Sequence, residues 1–592
     1  MVGSLAGCFE VFKQSYTEDS KLASKIDEIM SENEARVKTL PTDKSAVPTG
    51  TYKPGKDDQW WQKDVETSIT SNSDQKITLE GIFVETIKHS TQIKVFSDIP
   101  LIRETGIQEA KGEFDTVSFV KAMYEHQNDP VGNILETGSA NGRFVQDGVI
   151  VEGGLRKKVV TGAEITLKQE FGYLQNNSSF LTPNPQSTAR LSLSVVQPLL
   201  KGAGVKYNRA ILDIAKIDSE SAMQEMIRQA ESHLLEVSRA YWGLYLARAT
   251  YVQKMRLYKL AVGVSDEIKG RGNVDAVKGQ VARAESAMAE RRSDLVRAEL
   301  AIANAQDRIR ALVNSPELPE AGAPELIPVD GPLMREYSVN YEQAARRALA
   351  QRPEVAQAFL QVRAAAVREK MQRNEVLPAL NAVVAGYIAG LAGNNNLSGA
   401  YGNEFNQDNG SGGPGVSAGF EFEFPLENNT AEARHQRRLL ELRQQVNQLK
   451  TTIETTLLEV KVSAREVRTT WRDYAAKMES MQAATADLSQ FQARREVDTA
   501  LPGEPQPASA VSNEATTAYL DSVLSAQNRL TAAEEDSVKS AASYQIAILN
   551  FERSQGNLLA YENISIERTK GKDKLPLLRL QKGGSESKTA NP

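Results

Sequence analysis

The residue types that most often carry catalysis are sparse in this chain. Its histidines lie far apart without ligand-like neighbours: His89, His126, His233 and His435. The sequence contains no HExxH, CxxC or GxSxG motif, the patterns that hold zinc or present a nucleophile. Gly202-Ala203-Gly204 lacks the third glycine and the Lys-Ser/Thr of a phosphate-binding loop, so we interpret it as a strand-to-helix turn. We predict no enzyme activity, no cofactor and no metal site.

Charged side chains do recur in segments where polar and apolar residues alternate. These segments are 163–173, 189–196 and 416–424. Because successive side chains of a strand point to opposite faces, each segment would have one apolar and one polar face. The charged residues of the polar faces are Glu164, Lys168, Glu170, Arg190, Glu421 and Glu423. Acids outnumber bases in this set, and rings of acids favour cations in a pore.

The length of these segments suggests a membrane role. Together with 379–389, within the strand-like stretch 378–392, each has roughly the 9–11 residues that a tilted membrane-spanning strand needs. Apolar-out and polar-in alternation is typical of a transmembrane barrel, whereas the alternative is a half-buried soluble sheet. Four strands cannot close a barrel, and open strand edges are prohibitive in lipid. If these strands span a membrane, several chains must share one barrel.

Composition narrows the classes of protein. The chain has 592 residues and a net charge of −6. A nucleic-acid binder needs a basic surface, so we predict no nucleic-acid partner. No stretch has eighteen or more apolar residues, so no transmembrane helix is predicted. A membrane protein without such a helix must use a closed barrel, because lipid cannot satisfy open backbone groups.

The single cysteine, Cys8, follows Leu5-Ala6-Gly7. This tetrapeptide resembles the lipobox of bacterial lipoproteins, which would make Cys8 a lipidation site. The basic segment and apolar run that usually precede a lipobox are missing here. A late start of the sequence and a chance tetrapeptide are both open explanations.

Most of the chain is predicted to form long helices. The helical stretches are 205–265, 275–313, 341–375, 429–495 and 513–557. A helix of about 60 residues extends roughly 90 Å, so such helices are expected to pack as coiled coils. Glycines around Arg271 and a Pro-rich stretch at 496–512 indicate the turns of two helical hairpins.

The order helix, strand, strand, helix, helix occurs twice, which indicates an internal duplication. We therefore predict a mainly α chain with a small membrane β-part. The predicted regions are an N-terminal extension at 1–76, a first repeat at 77–315, a linker at 316–340, a second repeat at 341–560 and a disordered tail at 561–592.

The duplicated order of helices and strands resembles the TolC family of outer-membrane efflux proteins. The motifs that carry the resemblance are Leu377-Pro378-Ala379-Leu380, Pro425-Leu426, Asp275 with Gln280, Leu524-Ser525-Ala526-Gln527 and Ser554-Gln555-Gly556-Asn557-Leu558-Leu559. The resemblance covers about residues 77–560, and the motifs occur in the order expected for two repeats. The stretches 110–160 and 497–515 are longer than the family plan requires.

The resemblance implies a homotrimer in the bacterial outer membrane, with helices in the periplasm. Each chain would give four strands to a twelve-stranded barrel that contacts outer-membrane lipid. The hairpin tips would bind a periplasmic adaptor (membrane fusion) protein coupled to an inner-membrane RND or ABC pump. The implied tip and aperture residues are Arg271, Asn273, Asp275, Asp521 and Ser525. Ser525 stands where a second acid is expected.

The resemblance therefore predicts a passive export duct of a tripartite efflux or type I secretion system. The alternative is a soluble periplasmic coiled-coil scaffold.

Overall fold

The computed structural model describes residues 59–67, 69, 74–131, 142–271, 278–318, 324–406, 413–500, 511–570 and 576–582. The helices are α1 (Gln62–Val65), α2 (Leu79–His89), α3 (Thr91–Gly112), α4 (Val205–Asn208), α5 (Ala210–Arg271), α6 (Lys278–Val313), α7 (Tyr341–Gln351), α8 (Pro353–Glu375), α9 (Leu397–Phe405), α10 (Asn429–Ala500), α11 (Val511–Ser554) and α12 (Leu558–Tyr561).

The strands lie mostly between the helices in the sequence. They are β1 (Asp74–Ile77), β2 (Thr116–Pro130), β3 (Arg143–Lys158), β4 (Glu164–Asn176), β5 (Gln186–Pro198), β6 (Glu325–Pro328), β7 (Ala379–Gly393), β8 (Gly415–Glu423), β9 (Ile564–Lys570) and β10 (Pro576–Lys582).

The four longest predicted helices are confirmed as α5, α6, α10 and α11, with ends that differ by six residues or fewer. The predicted helix 341–375 is instead two helices. Arg352 between them has an extended backbone (ψ 127°). Pro353 explains the break, because proline disfavours helical geometry at the residue before it and donates no backbone hydrogen bond. Within the part of the chain that the structure describes, no helix is long and apolar enough to cross a lipid bilayer.

The turn predicted at Gly202-Ala203-Gly204 is confirmed. Gly202 and Gly204 have φ angles of 78° and 94°, a region that side chains with a Cβ rarely adopt. The Asn208 side chain donates hydrogen bonds to the carbonyl oxygens of both glycines, at 2.9 and 3.0 Å. The turn therefore connects β5 to the first helical turn without leaving these carbonyls unpaired.

The chain divides into two compact units. Unit 1 comprises the described residues of Met1–Leu101, Met223–Ala358 and Leu449–Pro592, and unit 2 those of Ile102–Ala222 and Phe359–Gln448. Each unit is assembled from segments that are distant in sequence. The predicted repeats at 77–315 and 341–560 were defined by the order of elements along the sequence. They remain a prediction.

Unit 1 has an aromatic core. Tyr241, Trp242 and Tyr245 of α5 stack edge-to-face, with ring centroids 5.4 and 5.7 Å apart. Trp61 and Val65 of the N-terminal segment are buried in the same cluster. These two residues of the predicted N-terminal extension therefore contribute to the core of unit 1.

A buried arginine holds three segments of unit 1 together. The guanidinium of Arg248 on α5 forms an ion pair with Glu325 of β6, and both side chains are almost completely buried. It also donates to the carbonyl oxygens of Val65 and Thr67, at 3.0 and 2.6 Å. Because a buried charge is tolerated only when it is paired and hydrogen-bonded, these contacts depend on one another.

A second buried charge site in unit 1 lies at Glu231 on α5. Burial, and to a smaller extent the nearby Glu354, raises the pKa of this carboxyl to about 7. Arg553 and Arg352 and a hydrogen bond from the backbone of Leu559 act in the opposite direction. Desolvation exceeds their effect, so the folded protein holds a proton here that an unfolded chain would release.

The C-terminal region is more ordered than predicted. Residues 564–570 and 576–582 form an antiparallel pair, β9 with β10, although we expected disorder over 561–592. Ile564 and Leu580 are buried in the core of unit 1. The prediction failed because basic residues in this region mask short apolar alternations such as Leu578 and Leu580. Residues 583–592 lie outside the described residues.

Unit 2 contains one antiparallel sheet in the order β2-β3-β4-β5-β7-β8. The four strands predicted from alternation are confirmed as β4, β5, β7 and β8, and their register is continuous. Two further strands, β2 and β3, form a hairpin that extends the sheet beyond β4. The predicted count of four strands is therefore too low, because the long stretch 110–160 is part of the same sheet.

Replacing Arg248 with methionine should destabilise unit 1. The substitution leaves the Glu325 carboxylate buried without its cation, which typically costs about 3–5 kcal/mol. Thermal unfolding of the purified protein, followed by circular dichroism, should show a clear fall in Tm. The control is Arg346→Met, which removes an exposed helical ion pair with Glu342 and should cost no more than about 0.5 kcal/mol. Equal effects of both variants would contradict the central role of Arg248.

Glu231→Gln should stabilise the protein in a pH-dependent way. The pKa of Glu231 is about 7 in the folded state, whereas the ordinary pKa of a glutamate is 4.5. Between these values the folded state binds the extra proton, so this site's contribution to stability falls as pH rises. The variant should match the parent at pH 4.5 and exceed it at pH 8, by a free energy on the order of 3 kcal/mol. An equal Tm offset at both pH values would contradict the assignment.

Candidate functional site

The sheet of unit 2 has two chemically different faces. Side chains directly opposite each other in an antiparallel register point to the same side, as do residues two apart on a strand. The register places Lys121, Glu152, Glu170 and Arg190 in one row across β2, β3, β4 and β5. The same register puts the six predicted residues on one side, which we call the polar face: Glu164, Lys168, Glu170, Arg190, Glu421 and Glu423.

The charges on β2, β3 and β4 compensate one another. Lys168 Nζ lies 3.0 Å from a carboxylate oxygen of Glu152 and 2.9 Å from one of Glu170. Lys121 Nζ lies 3.6 Å from the other oxygen of Glu152. A chain of alternating charges therefore crosses three strands. Lys121 and Glu152 were missed from the sequence because Phe119 and Ile150 interrupt the alternation around them.

The acids on β8 have a different environment. Within the described residues, neither Glu421 nor Glu423 lies within ion-pair distance of a cation, and Glu421 receives only a long hydrogen bond of 3.5 Å from Asn381. Arg190 stacks instead on the ring of Tyr387, with 3.8 Å from Cζ to the ring centroid. Glu421 and Glu423 therefore leave uncompensated negative charge on the polar face at the end of β8 that leads into α10.

The opposite side of the sheet, which we call the apolar face, carries large hydrophobic residues exposed to solvent. Val416, Phe420 and Phe422 of β8 are 78, 75 and 63 % exposed. Leu167, Leu193 and Val384 on β4, β5 and β7 point to the same side and are also exposed. A soluble protein rarely leaves so large a continuous apolar surface uncovered. This face is therefore suited to contact with lipid or another apolar partner.

The short helix α9 covers part of the apolar face. Gly390 allows its close approach, since a Cβ there would lie 2.1 Å from the carbonyl oxygen of Ala400. Gln169 on β4 donates a hydrogen bond of 3.0 Å to the buried carboxylate of Glu404. Helix α9 lies between β7 and β8, outside the helical stretches that were predicted from the sequence.

The predicted tip residues are only partly described. Asp521 and Ser525 lie one turn apart on α11, and both are exposed. A carboxylate oxygen of Asp521 lies 2.9 Å from Arg283 Nη1 on α6. Asn273 and Asp275, as well as Cys8, lie outside the described residues, and nothing is described of the side chain of Arg271. The structure thus adds Arg283, which sequence reasoning missed, as the partner of the candidate aperture acid.

The histidines take part in separate contacts. His126 contacts Asp147 at 2.8 Å, His233 contacts Ser90 at 3.0 Å, and His435 contacts Glu369 at 2.9 Å. In the ranges that the structure covers, no group of three or more His, Cys, Asp or Glu residues is placed to hold a metal ion.

Comparison with known proteins relates this geometry to a known fold. No protein-family model matches the chain, and no curated protein sequence matches it significantly. Among solved structures, the chain is similar to a membrane protein from Pseudomonas aeruginosa, with 14 % identity and a TM-score of 0.56 over 88 % of this chain and 100 % of that chain.

Two further solved structures are outer-membrane channels. The Campylobacter jejuni CmeC outer membrane channel is 13 % identical, with a TM-score of 0.57 over 87 % of this chain and 94 % of that chain. The open state of the Neisseria gonorrhoeae MtrE outer membrane channel is 12 % identical, with a TM-score of 0.53 over 87 % and 99 %. The chain therefore has the fold of TolC-like outer-membrane channels, and the predicted fold class of long helices with a small β-part is confirmed.

Proposed function

We propose that this chain is one subunit of a homotrimeric export channel in the bacterial outer membrane. The observation that carries the proposal is the sheet of unit 2, which has a charged polar face and an exposed apolar face within a channel fold. In this arrangement the apolar face contacts outer-membrane lipid and the polar face lines a water-filled lumen. The long helices extend into the periplasm.

The channel is passive in this proposal. Cargo, whether small molecules or secreted polypeptides, passes through the lumen, and the energy comes from an inner-membrane RND or ABC pump. A periplasmic adaptor protein connects the pump to the helical hairpins near 270–278 and 500–511. The fold resemblance supports this assignment, as do the long helical hairpins. No catalytic step by the chain is required.

The aperture of the channel is assigned to the tip helices. Asp521 and Ser525 face the same side of α11, and Arg283 of α6 holds Asp521 through an exposed ion pair. This link ties the two hairpins of one chain together on the side of the turns. Opening then requires the tip helices to separate, which breaks an interaction that water screens and that therefore stabilises the closed state only weakly.

Fractionation of expressing cells tests the proposal. The chain should appear in the outer-membrane detergent extract as a stable trimer and should form ion-conducting pores in planar bilayers. Detergent extraction and pore formation are expected because the apolar face of the sheet lies in lipid in the proposed channel. Recovery as a buffer-soluble monomer would refute the channel and favour a periplasmic coiled-coil scaffold.

The pore should prefer cations, and the preference should depend on β8. Replacing Glu421 and Glu423 together with glutamine removes the two uncompensated acids of β8, so the reversal potential in a salt gradient should shift towards zero. The control is Lys168→Met with Glu170→Gln, which removes one charge of each sign from the polar face and should change selectivity little. Anion preference in the parent channel, or equal shifts in both double variants, would contradict the assignment of the lumen.

A further inference from the structure

The sheet of unit 2 ends in two open edges. Strand β2 pairs only with β3, and strand β8 pairs only with β7, within the residues that the structure describes. Nearly every residue of both strands is exposed, whereas residues of β4 and β5 are mostly half-buried. An open edge carries a row of unpaired backbone donors and acceptors, and it pairs readily with another strand.

The two edges are complementary in direction. Each strand of the sheet is antiparallel to its neighbours, so β2 and β8, at the ends of a row of six, run in opposite directions. If β8 of one copy lies beside β2 of the next, the antiparallel pattern continues without interruption. The antiparallel pattern can continue around a closed ring of copies only if each chain contributes an even number of strands.

The two edges also match in their faces. On the apolar face, β8 presents Val416, Phe420 and Phe422, and β2 presents Val120 and Tyr124, all of them exposed. On the polar face, Glu421 and Glu423 stand at the end of β8 that leads into α10. Lys121 is the charged residue of the polar face of β2 nearest to the α3 end of that strand. Joining the edges therefore keeps both faces continuous and brings acids towards a base.

We propose that β8 of each copy pairs with β2 of the next, so that six strands per chain close one barrel. This inference rests on the proposed homotrimeric channel, and it gives the barrel eighteen strands. The twelve-stranded barrel expected from the resemblance requires β8 to pair with β4. That edge of β4 is already occupied by β3, from Gln146 opposite Asn176 to Lys158 opposite Glu164.

The consequence is that the β2–β3 hairpin forms part of the channel wall. Barrel diameter grows roughly linearly with strand number, so eighteen strands give about 1.5 times the diameter of twelve. A single chain cannot close such a barrel, since membrane barrels start at about eight strands. The lumen is therefore complete only when neighbouring copies contribute β2 and β8 to each wall.

Cysteine cross-linking in membranes tests this seam. In a Cys8→Ser background, Ala418→Cys on β8 is combined in turn with Val120→Cys, Ala122→Cys and Tyr124→Cys on β2, all on the apolar face. Facing residues of an antiparallel pair approach closely enough for a disulfide in a favourable register. At least one pair should give covalent dimers and trimers on oxidation, with no larger species, and reduction should reverse them.

The matched controls place the second cysteine on β4. Ala418→Cys is combined with Leu167→Cys, Gln169→Cys or Phe171→Cys, which lie on the same face, and none of these pairs should cross-link. Cross-linking to β4 and not to β2 in a conducting trimer would overturn the eighteen-stranded barrel but leave the channel function intact. Covalent products that stop at two or exceed three chains, or an intact trimer without any β2 link, would also overturn it. Loss of the trimer and of conductance in the parent protein would instead refute the proposed function.

Discussion

The requirement that backbone hydrogen-bonding groups be paired dominates the structure of unit 2. A strand edge exposes N–H and C=O groups that water can satisfy but lipid cannot. Among the residues that the structure describes, the sheet satisfies this requirement at its four inner strands and leaves it unmet along the outer edges of β2 and β8. Because the apolar face of the same sheet is suited to lipid, the unmet edges and the exposed hydrophobic residues are two aspects of one incomplete assembly. In the proposed assembly a neighbouring copy satisfies both at once, since it supplies the missing backbone partners and continues the same apolar surface.

Unit 1 meets the corresponding requirement within a single chain. Arg248 on α5 reaches the carbonyl oxygens of Val65 and Thr67 and the carboxylate of Glu325, so an N-terminal segment and a short strand are fixed to a long helix. Long helices with exposed ion pairs gain little stability from those pairs. The aromatic core around Tyr241 and the buried ion pair therefore contribute more to the stability of unit 1 than the many charges on its helices.

The parts of the fold that were predictable from sequence have strong periodicity and clear end signals. The long helix α6 ends at Val313, as the predicted helical stretch 275–313 does, and Asn314 adopts the left-handed conformation (φ 51°) that is common just after a helix. Strands β4, β5 and β8 were found because their apolar and polar residues alternate cleanly. Strands β2 and β3 were not, because Phe119 and Ile150 place apolar side chains on the polar face.

The β2–β3 hairpin changes the electrostatics of the polar face and also makes that face wider. From the sequence alone, Glu164, Glu170, Glu421 and Glu423 form one acidic set. Strands β2 and β3 bring Arg156 to 3.2 Å from Glu164, and they add Glu152 and Lys121 to the network of Lys168 and Glu170. The acids of β4 are thereby compensated, and those of β8 are not. Glu421 and Glu423 therefore present uncompensated negative charge to a passing ion in the proposed lumen. This charge lies on the edge strand β8, next to the seam between copies, and its strength depends on how closely the neighbouring Lys121 approaches.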